Sequence, residues 1–283
     1  MMSNSVFGKV TLGADPEIFV VKPDGTPWGA LTTGCKGTKE VPEPTEYGAL
    51  QVDGLALEYN IHPVDTLHDW LDLHTAALTH IADTADKAGL VLDSSPRLDF
   101  TSYIDGNGAT EDELLFGCDP DFNADTMEEN TMPDNDGSIK FRTTGGHVHI
   151  GLANWGELHG GDDKIAHMMA SKIIFVCDAI LGLRSVLTDD DVARKELYGK
   201  AGAYRIKPYG VEYRTLSNFW LFDEAEMKFI FDALNNVFAS DGEFERVAEF
   251  ATLNRADIVK AINTNDKELA IKLLAGDAPL TDK

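Results

Sequence analysis

Four short apolar segments of the chain each carry two polar side chains that are separated by one residue. The pairs are Asp15/Glu17, Glu58/Asn60, His147/His149 and Glu212/Arg214. Because residues i and i+2 of a β-strand point to the same face, each pair directs two polar groups to one side of a predicted sheet. Burying charge without partners costs free energy, so such groups do not build a core. Their types instead predict a site for metal ions and a polyanion.

The acidic pairs predict oxygen ligands for a hard cation. Asp15 and Glu17 precede the apolar run IFVV, which indicates that Glu17 lies where a strand becomes buried. In LALEYNI the alternation places Glu58 and Asn60 on one face of a strand. A turn with a solvated acid, or a surface strand with one wet face, would give the same local patterns. Asp53, a little upstream of Glu58, is interpreted only as a turn residue.

The histidine pair follows two glycines in GGHVHIG. Glycine allows a backbone or a ligand to approach closely, because it has no Cβ. Two imidazoles on one face, His147 and His149, suit a metal ion or a phosphate group. The alternative is one structural histidine beside one histidine of the site.

Six cations lie between residues 194 and 214 of an otherwise acidic chain. They are Arg194, Lys195, Lys200, Arg205, Lys207 and Arg214. Arginine forms bidentate contacts with phosphate or carboxylate, and lysine supplies a point charge. The GxxxxGK[ST] spacing is absent, which argues against a P-loop. Solvated cations at helix ends would give the same composition, and this is the prediction for Lys195.

The formal net charge is −24, from 24 basic and 48 acidic residues. General binding to nucleic acid or to an anionic membrane needs basic surface, so neither partner is expected. Three cysteines without CxxC spacing argue against a zinc finger or a disulfide scaffold and favour a reducing compartment. No secretory signal is visible, and no run is expected to reach the ~18–20 apolar residues of a membrane span.

Periodicity predicts the elements that position these residues. Strands are predicted over 6–22, with a hairpin to residue 33, and over 49–62, 139–152 and 209–221, with short strand-like runs over 90–105. Helices are predicted over 65–87, 162–183, 223–240, 242–252, 255–263 and 266–275, of which 162–183 is expected to be buried. Residues 117–138 are interpreted as a long acidic loop, and Cys118 within it as structural.

This order of elements predicts an α+β fold with a curved, mainly antiparallel sheet that is backed by helices. A chain of 283 residues is long enough to form one large domain. We therefore expect a single domain over 1–283. Residues 5–222 would form the sheet and helices of a funnel-like site, and residues 223–283 a helical C-terminal cap.

In collinear order, six stretches of the chain resemble the phage-type carboxylate–amine ligases, the amidoligase type 2 family of the glutamine synthetase and glutamate–cysteine ligase superfamily. They are GADPEIFVV, GTKE, QVDGLALEYNIHP, GCDPDFNA, TTGGHVHIG and RKELYGKAGAYRIKPYGVEYRTLSNFW. The resemblance implies a glutamine synthetase-like catalytic fold. It also implies an ATP- and Mg²⁺-dependent ligase that forms an amide through an acyl phosphate.

The resemblance also implies roles for individual residues. The implied metal ligands are Glu17, Glu58, His147 and Glu212. The residues implied to face nucleotide or substrate are Asn60, His149, Lys200, Arg205 and Arg214. The implied catalytic residues are Glu58, Arg205 and Arg214. Relatives carry Glu-x-Glu on the first strand where this chain has Asp15-Pro16-Glu17, so Asp15 is either a shorter ligand or a turn residue.

Two other functions stay open at this point. One is an ATP:guanidino phosphotransferase, since that chemistry occurs on a related fold, and the other is a non-enzymatic virion or assembly protein that keeps the fold. The expected partners are small-molecule or peptide carboxylates and amines, in the cytoplasm, or in the host cytoplasm for a phage-encoded chain. The acidic loop and the GTKE loop are the expected specificity elements, and the sequence leaves the acid, the amine and the oligomeric state open.

Overall fold

The computed structural model describes residues 5–107, 109–114, 121–131, 139–189 and 192–275. Its strands are β1 (Val10–Ala14), β2 (Glu17–Val21), β3 (Pro27–Trp28), β4 (Glu43–Pro44), β5 (Gly48–Asp53), β6 (Ala56–Ile61), β7 (Val91–Asp93), β8 (Arg97–Asp99), β9 (Phe122–Asn123), β10 (Phe141–Thr143), β11 (Val148–Leu152), β12 (Ala203–Lys207) and β13 (Gly210–Tyr213). Its helices are α1 (Leu67–Lys87), α2 (Thr101–Asn107), α3 (Glu111–Leu114), α4 (Trp155–His159), α5 (Asp163–Cys177), α6 (Leu183–Thr188), α7 (Arg194–Leu197), α8 (Glu224–Phe238), α9 (Asp241–Leu253), α10 (Arg255–Thr264) and α11 (Lys267–Ala275). Cys118 and half of the predicted loop 117–138 lie outside the described residues.

The four polar pairs lie on or directly beside two sheets of a strongly curled antiparallel half-barrel. One has the strand order β1-β11-β13-β12-β9, and the other has the order β3-β2-β6-β5-β4 with β7 also paired to β2. Strands β8 and β10 form a separate pair, and every strand pair within the described residues is antiparallel. The predicted mixture of helices and antiparallel sheet is confirmed, although the polar pairs are divided between two sheets instead of sharing one.

The site lies where these sheets meet. At this point two of the predicted strands are each divided into two shorter strands that belong to different sheets. Residues 6–22 form β1 in one sheet and β2 in the other, with Asp15 and Pro16 between them. The predicted single strand 139–152 is wrong: β10 and β11 belong to different sheets, and Thr144 to His147 connect them. Two backbone hydrogen bonds connect the segment between β1 and β2 to the segment between β10 and β11. They run from Glu17 N to Gly145 O at 2.9 Å and from Asp15 N to His147 O at 3.4 Å.

Two other strand predictions also need correction. The strand predicted over 209–221 ends at Tyr213, and a 3₁₀-helix occupies Asn218–Phe222, begun by the Ser217 side chain, which accepts from Phe219 N. The strand-like runs over 90–105 end at Asp99, after which α2 begins. In both cases a short polar cap, Ser217 or Asp99, accepts a backbone N–H and starts a helical turn.

Helix α1 supports the second sheet from behind. Thr66 caps it by accepting from Asp69 N at 3.1 Å. Its buried residues recur at helical spacing and are Trp70, His74, Ala77, Ile81 and Ala85. His74 Nδ1 lies 2.7 Å from the hydroxyl of Tyr59 on β6. This contact fixes the outer face of the strand whose inner face carries Glu58 and Asn60.

The predicted apolar helix over 162–183 is confirmed and buried. It consists of α5, a π-helical segment Asp178–Gly182, and α6, and its centre is almost fully enclosed. The continuous helix Asp163–Thr188 is, by length and composition alone, apolar enough to cross a membrane, so the prediction that no such run exists is wrong. In this structure 61% of its most apolar window is buried inside the protein, as in the core helix of a globular protein.

The four predicted C-terminal helices are confirmed as α8, α9, α10 and α11. They share one buried apolar cluster with the first sheet and with α1. Trp70 of α1 stacks on Trp220, with ring centroids 5.8 Å apart, and its indole N–H donates to Met227 O of α8. Phe7, near the start of the described chain, packs between Phe238 and Phe244. The helical region is therefore continuous with the core behind the site.

Candidate active site

Three carboxylates from the second sheet form the first half of the site. Glu17 on β2 lies directly opposite Glu58 on β6, and Asp53 ends the adjoining strand β5. One oxygen from each of the three lies within 4.8 Å of the others. The Glu17 carboxylate also accepts from Gly145 N at 2.7 Å. Asp53, which sequence reasoning interpreted only as a turn residue, is therefore a member of the site.

The three carboxylates repel one another in a desolvated environment. Burial, reinforced by the Asp53 charge, raises the pKa of Glu17 to about 7. Burial and the nearby acids Asp15 and Asp53 raise the pKa of Glu58 well above its ordinary value. Burial likewise raises the pKa of Asp53, although Lys39 opposes the change. Like charges directly opposite in a sheet are destabilising, and a divalent cation with oxygen ligands would remove that repulsion.

The first sheet supplies the second half of the site. Cross-strand register places His149 of β11 opposite Glu212 of β13, and Asp15 lies just beyond the end of β1. One ligand atom from each of these three residues lies within 4.8 Å of the others. Asp15 Oδ2 is 3.0 Å from His149 Nε2, and Asp15 Oδ1 is 3.3 Å from His147 Nδ1. Asp15 is thus part of the site and not only a turn residue.

The charge of this second group is already balanced by protein cations. Glu212 is fully buried and contacts the Arg214 guanidinium, and Lys207 Nζ lies 2.7 Å from its other oxygen. Burial and Asp15 would raise the pKa of Glu212, but Arg214 and the two histidines lower it to about 2. The pKa of Asp15 is likewise held well below its ordinary value, because the His149 and His147 side chains outweigh burial.

The two site histidines differ in their surroundings. Burial and the Arg214 guanidinium lower the pKa of His147 to about 4. Its Nδ1 faces Asp15 and lies 3.7 Å from Glu212. Burial opposes charge on His149, yet the Asp15 carboxylate raises its pKa. Tyr209 stacks on His149, and its hydroxyl contacts Nδ1, so Tyr209 orients the ring from the turn between β12 and β13.

Glycines and a buried arginine set the backbone around His147. A Cβ on Gly145 would lie 2.2 Å from His147 Nε2, and one on Gly146 would lie 2.2 Å from Ser217 O. The Arg194 guanidinium donates to the carbonyls of Thr144, Thr215 and Leu216, each at 3.0 Å. Arg194 therefore joins the segment before His147 to the segment after Arg214, in a supporting role that sequence reasoning did not assign to it.

The neighbouring Lys195 was predicted to be a solvated helix-end cation, and this prediction is wrong. It is only 7% exposed, and its Nζ lies 3.3 Å from Gly199 O. The backbone carbonyls that accept from Arg194 come from distant segments of the chain, so local composition gave no signal that this part of the chain is buried.

Besides a small cavity of about 50 Å³ lined by Glu17, Asp53 and Arg214 among others, two larger cavities open on the site. One, of about 290 Å³, is lined by the acids and cations Asp15, Glu17, Lys39, Asp53, Glu58, His147, Arg205, Lys207 and Arg214, together with Pro42, Gln51 and Asn60. The other, of about 240 Å³, is lined by Thr11, Gly13, Ala14, Asn60, Ile61, Pro63, His149, Gly151 and Tyr209. The first is charged and the second has a floor of small residues and an aromatic wall, so they suit different parts of one ligand.

The structure brings together eight of the nine predicted site residues. Asn60 lines both cavities, and Arg205 Nη1 lies 3.9 Å from Glu212 Oε1. Lys200 differs: its side chain is exposed in the turn before β12, and it is absent from the described residues that line the two cavities. Asp121, within the predicted acidic loop, has Oδ2 at 3.4 Å from Arg214 Nε. Asp53 and Asp121 are site residues that sequence reasoning did not assign, whereas Lys207 belongs to the cluster of cations predicted between residues 194 and 214.

The family model described as "Phage phiEco32-like COOH.NH2 ligase-type 2" matches residues 124–276. That range contains β11, β12 and β13 of the site and all four C-terminal helices. No curated protein matches the chain.

Proposed function

The chain belongs to the phage phiEco32-like COOH.NH2 ligase type 2 family, and from this premise we propose that it is an ATP- and Mg²⁺-dependent ligase. The family name denotes the joining of a carboxylate to an amine. The nucleotide, the metal and the reaction path are our proposal. One observation carries it: a carboxylate triad with raised pKa values adjoins a group of histidines and arginines at the junction of two sheets.

The donor sets fit divalent cations. Glu17, Asp53 and Glu58 would hold one Mg²⁺, since they offer only oxygen atoms and their pKa values are raised. Asp15, His149 and Glu212 form the second candidate group, and His147 lies against two of its members. Bound Mg²⁺ would neutralise phosphate charge during transfer.

The proposed reaction has two steps. A substrate carboxylate oxygen attacks the γ-phosphorus of ATP, so a new O–P bond forms, the bond to ADP breaks and an acyl phosphate results. An amine lone pair then attacks the acyl carbon. The C–N bond forms, the C–O bond to phosphate breaks, inorganic phosphate leaves and the amine proton is released. Arg214 and Arg205 would hold the transferring group, because fixed donors stabilise charge that develops in the transition state.

The two cavities suggest how the substrates are arranged. The charged cavity holds Arg205, Lys207 and Arg214 opposite the triad, which suits the phosphates and the reacting carboxylate. The cavity beside Tyr209 and His149 has a glycine floor and suits a flat, uncharged group such as the base of the nucleotide. Asn60 lines both cavities and would contact the ligand where the two meet.

A thermal-shift titration tests the proposal. Wild type, Glu58→Gln and the control Glu249→Gln, which changes an exposed residue of α9, are each titrated with a non-hydrolysable ATP analogue with and without Mg²⁺. Wild type and control should gain about 2.7 kcal/mol of apparent stability when the ligand is at 100 times its dissociation constant. The gain should require Mg²⁺ and be absent in Glu58→Gln.

Other outcomes would contradict the proposal. A shift of the same size without Mg²⁺, or one retained in Glu58→Gln, would overturn the assignment of the triad as a metal site. The absence of any nucleotide shift in wild type would favour the non-enzymatic assembly protein. Nucleotide turnover that phosphorylates a guanidino compound and releases no phosphate would favour the phosphotransferase.

A further inference from the structure

The back of strand β13 carries a buried ion pair that the proposed reaction does not use. Asp178, in the π-helical segment, is fully buried, and its Oδ1 accepts from the Tyr213 hydroxyl at 2.8 Å and the Thr215 hydroxyl at 3.3 Å. Tyr213 and Thr215 are the two neighbours of Arg214 in sequence. Because side chains of an extended chain alternate, these two point to the back while Arg214 points to the site. Asp178 therefore holds the chain on either side of Arg214.

Arg255, the first residue of α10, holds Asp178 in turn. Its Nη1 lies 2.7 Å from Asp178 Oδ2. Its Nε and Nη2 form a bidentate contact with the two carboxylate oxygens of Asp125, each at 2.7 Å. The guanidinium also lies over the ring of Phe175, 4.2 Å from its centroid. One planar guanidinium thus binds two carboxylates from separate segments, a geometry that a lysine cannot reproduce.

Asp125 belongs to the segment that supports Arg214 from its other side. Ala124 N donates to Gly202 O at 2.9 Å and joins this segment to β12. Asp121, four residues earlier, has its carboxylate against Arg214 Nε, and Asn130 Nδ2 fixes that carboxylate at 2.7 Å. Arg255 is therefore tied both to the strand that carries Arg214 and to the segment that carries its acidic partner.

The other end of α10 contacts the same region. Asn263 Oδ1 accepts from Ala201 N at 2.8 Å, in the turn between Lys200 and β12. Ala203 O, at the start of β12, accepts from Arg214 N at 3.0 Å. Helix α10 thus holds, through Arg255 and Asn263, the three backbone segments that surround Arg214.

We propose that Arg255 is a positioning residue: through Asp178 and Asp125 it fixes Arg214 in the site, and this is the role of α10 in the C-terminal helical region. The fixing of Arg214 rests on the contacts above, and its consequence for nucleotide binding rests on the proposed function. Small displacements of a group that contacts the reacting centre greatly lower the reaction rate. Loss of Arg255 should therefore impair the site by letting Arg214 move.

Amide hydrogen exchange tests whether Arg255 fixes Arg214, independently of any activity. Arg255→Lys is compared with wild type and with Arg246→Lys, a control in which an exposed arginine of α9 has its own paired contact with Glu243. Because Arg255→Lys leaves Asp178 poorly paired, Asp125→Asn is the second variant, since the Asp125 side chain is 34% exposed. Exchange at the amides of Ala124 and Arg214 should rise about tenfold in both variants and stay unchanged in the control. Exchange changes confined to 255–275 would overturn the proposal.

A double-mutant cycle then tests the route through Arg214. Arg255→Lys should weaken binding of the Mg²⁺-bound non-hydrolysable ATP analogue about tenfold in the wild-type background and leave it unchanged in Arg214→Lys. Equal losses in both backgrounds would show a general structural role and overturn the proposed route. If wild type binds no nucleotide, the proposed function fails, while the exchange measurement still decides whether Arg255 fixes Arg214.

Discussion

Two groups of acids lie at the junction of the sheets, and the surroundings of each group shift the pKa values of its acids in opposite directions. Asp15 and Glu212 are surrounded by histidines, Arg214 and Lys207, and their pKa values are lowered despite burial. In the triad of Glu17, Asp53 and Glu58 the pKa values are raised. In the group of Asp15 and Glu212, which is the second group of the site, protein cations lie beside the acids. In the triad the acids raise one another's pKa values, and we propose that a bound cation balances their charge.

The difference determines which substitutions should harm folding and which should harm only the site. Removing one member of a compensated buried pair leaves the other as an unpaired charge, which is strongly destabilising. Removing one charge from a group of like charges relieves repulsion. The same change of a charged side chain to a neutral one should therefore have opposite effects on stability in the two groups.

The largest expected effect comes from Arg214→Met. This change would leave Glu212, which is 0% exposed, without its guanidinium, and should lower the free energy of unfolding by about 3–5 kcal/mol. Urea unfolding without added metal measures it. A loss of unfolding free energy close to that of the surface change Arg246→Met would show that Lys207 and the histidines alone balance the charge of the second group. The contrast between the two groups would then be wrong.

In the absence of metal, the raised pKa values of the triad should make the free energy of unfolding depend on pH. The pKa of Glu17 in the folded protein is raised from the ordinary value of 4.5 to about 7, so between these values the native state binds more protons than the unfolded state. The contribution of Glu17 to stability is therefore fully present below about pH 4.5 and is lost as the pH rises through about 7, by up to about 3 kcal/mol. Urea unfolding at pH 5 and pH 8 in EDTA measures the contribution, and Glu17→Gln should flatten it.

Added Mg²⁺ should reverse this loss. Because a bound cation favours the ionised carboxylates, the stability gained on adding Mg²⁺ should be larger at pH 8 than at pH 5. The same dependence in EDTA and in Mg²⁺ would contradict the triad as a cation site.

Neutralising one triad member should raise stability in the absence of metal. Asp53→Asn is expected to increase the free energy of unfolding in EDTA by about 1 kcal/mol, because it removes a like charge beside Glu17 and Glu58. The same variant should gain less than wild type on addition of Mg²⁺. Lower stability in EDTA would mean that Lys39, the cation that acts on Asp53, already compensates the triad.

The smallest expected effect is that of Tyr209→Phe. It removes the hydroxyl that contacts His149 Nδ1 and keeps the ring that stacks on it. Because this contact orients a ring of the compensated group without carrying its charge, the cost to stability should be about 1 kcal/mol or less. Thermal unfolding measures it, with Tyr209→Ala as the variant that also removes the ring.

Much of this site follows from alternation along strands. The two-residue spacing correctly predicted that Glu58 and Asn60 share a face opposite Tyr59, because one face of β6 packs on α1. It did not predict that 139–152 divides between two sheets. That break depends on Gly145 fitting against His147 and Gly146 fitting against Ser217, and Ser217 is far away in sequence.

The residues that the sequence did not reveal owe their positions to distant partners. Asp53 looks like any turn residue until β5 and β2 flank β6 and bring it to Glu17. Arg194 is polar and close to a helix start, and only the carbonyls of Thr144, Thr215 and Leu216 explain its burial. Periodicity predicts which face of a strand or helix a side chain lies on. The roles of Asp53 and Arg194 depend instead on which distant segments the fold brings together.

Gly199 shows what this arrangement means for variation in the chain. Its backbone has φ of +73°, and a Cβ there would lie 1.8 Å from the Arg194 guanidinium. Any other residue would have to strain its own backbone and displace Arg194, which joins the segment before His147 to the segment after Arg214. In a saturation-mutagenesis library, position 199 should therefore tolerate as little change as the acids themselves, although its residue performs no chemistry.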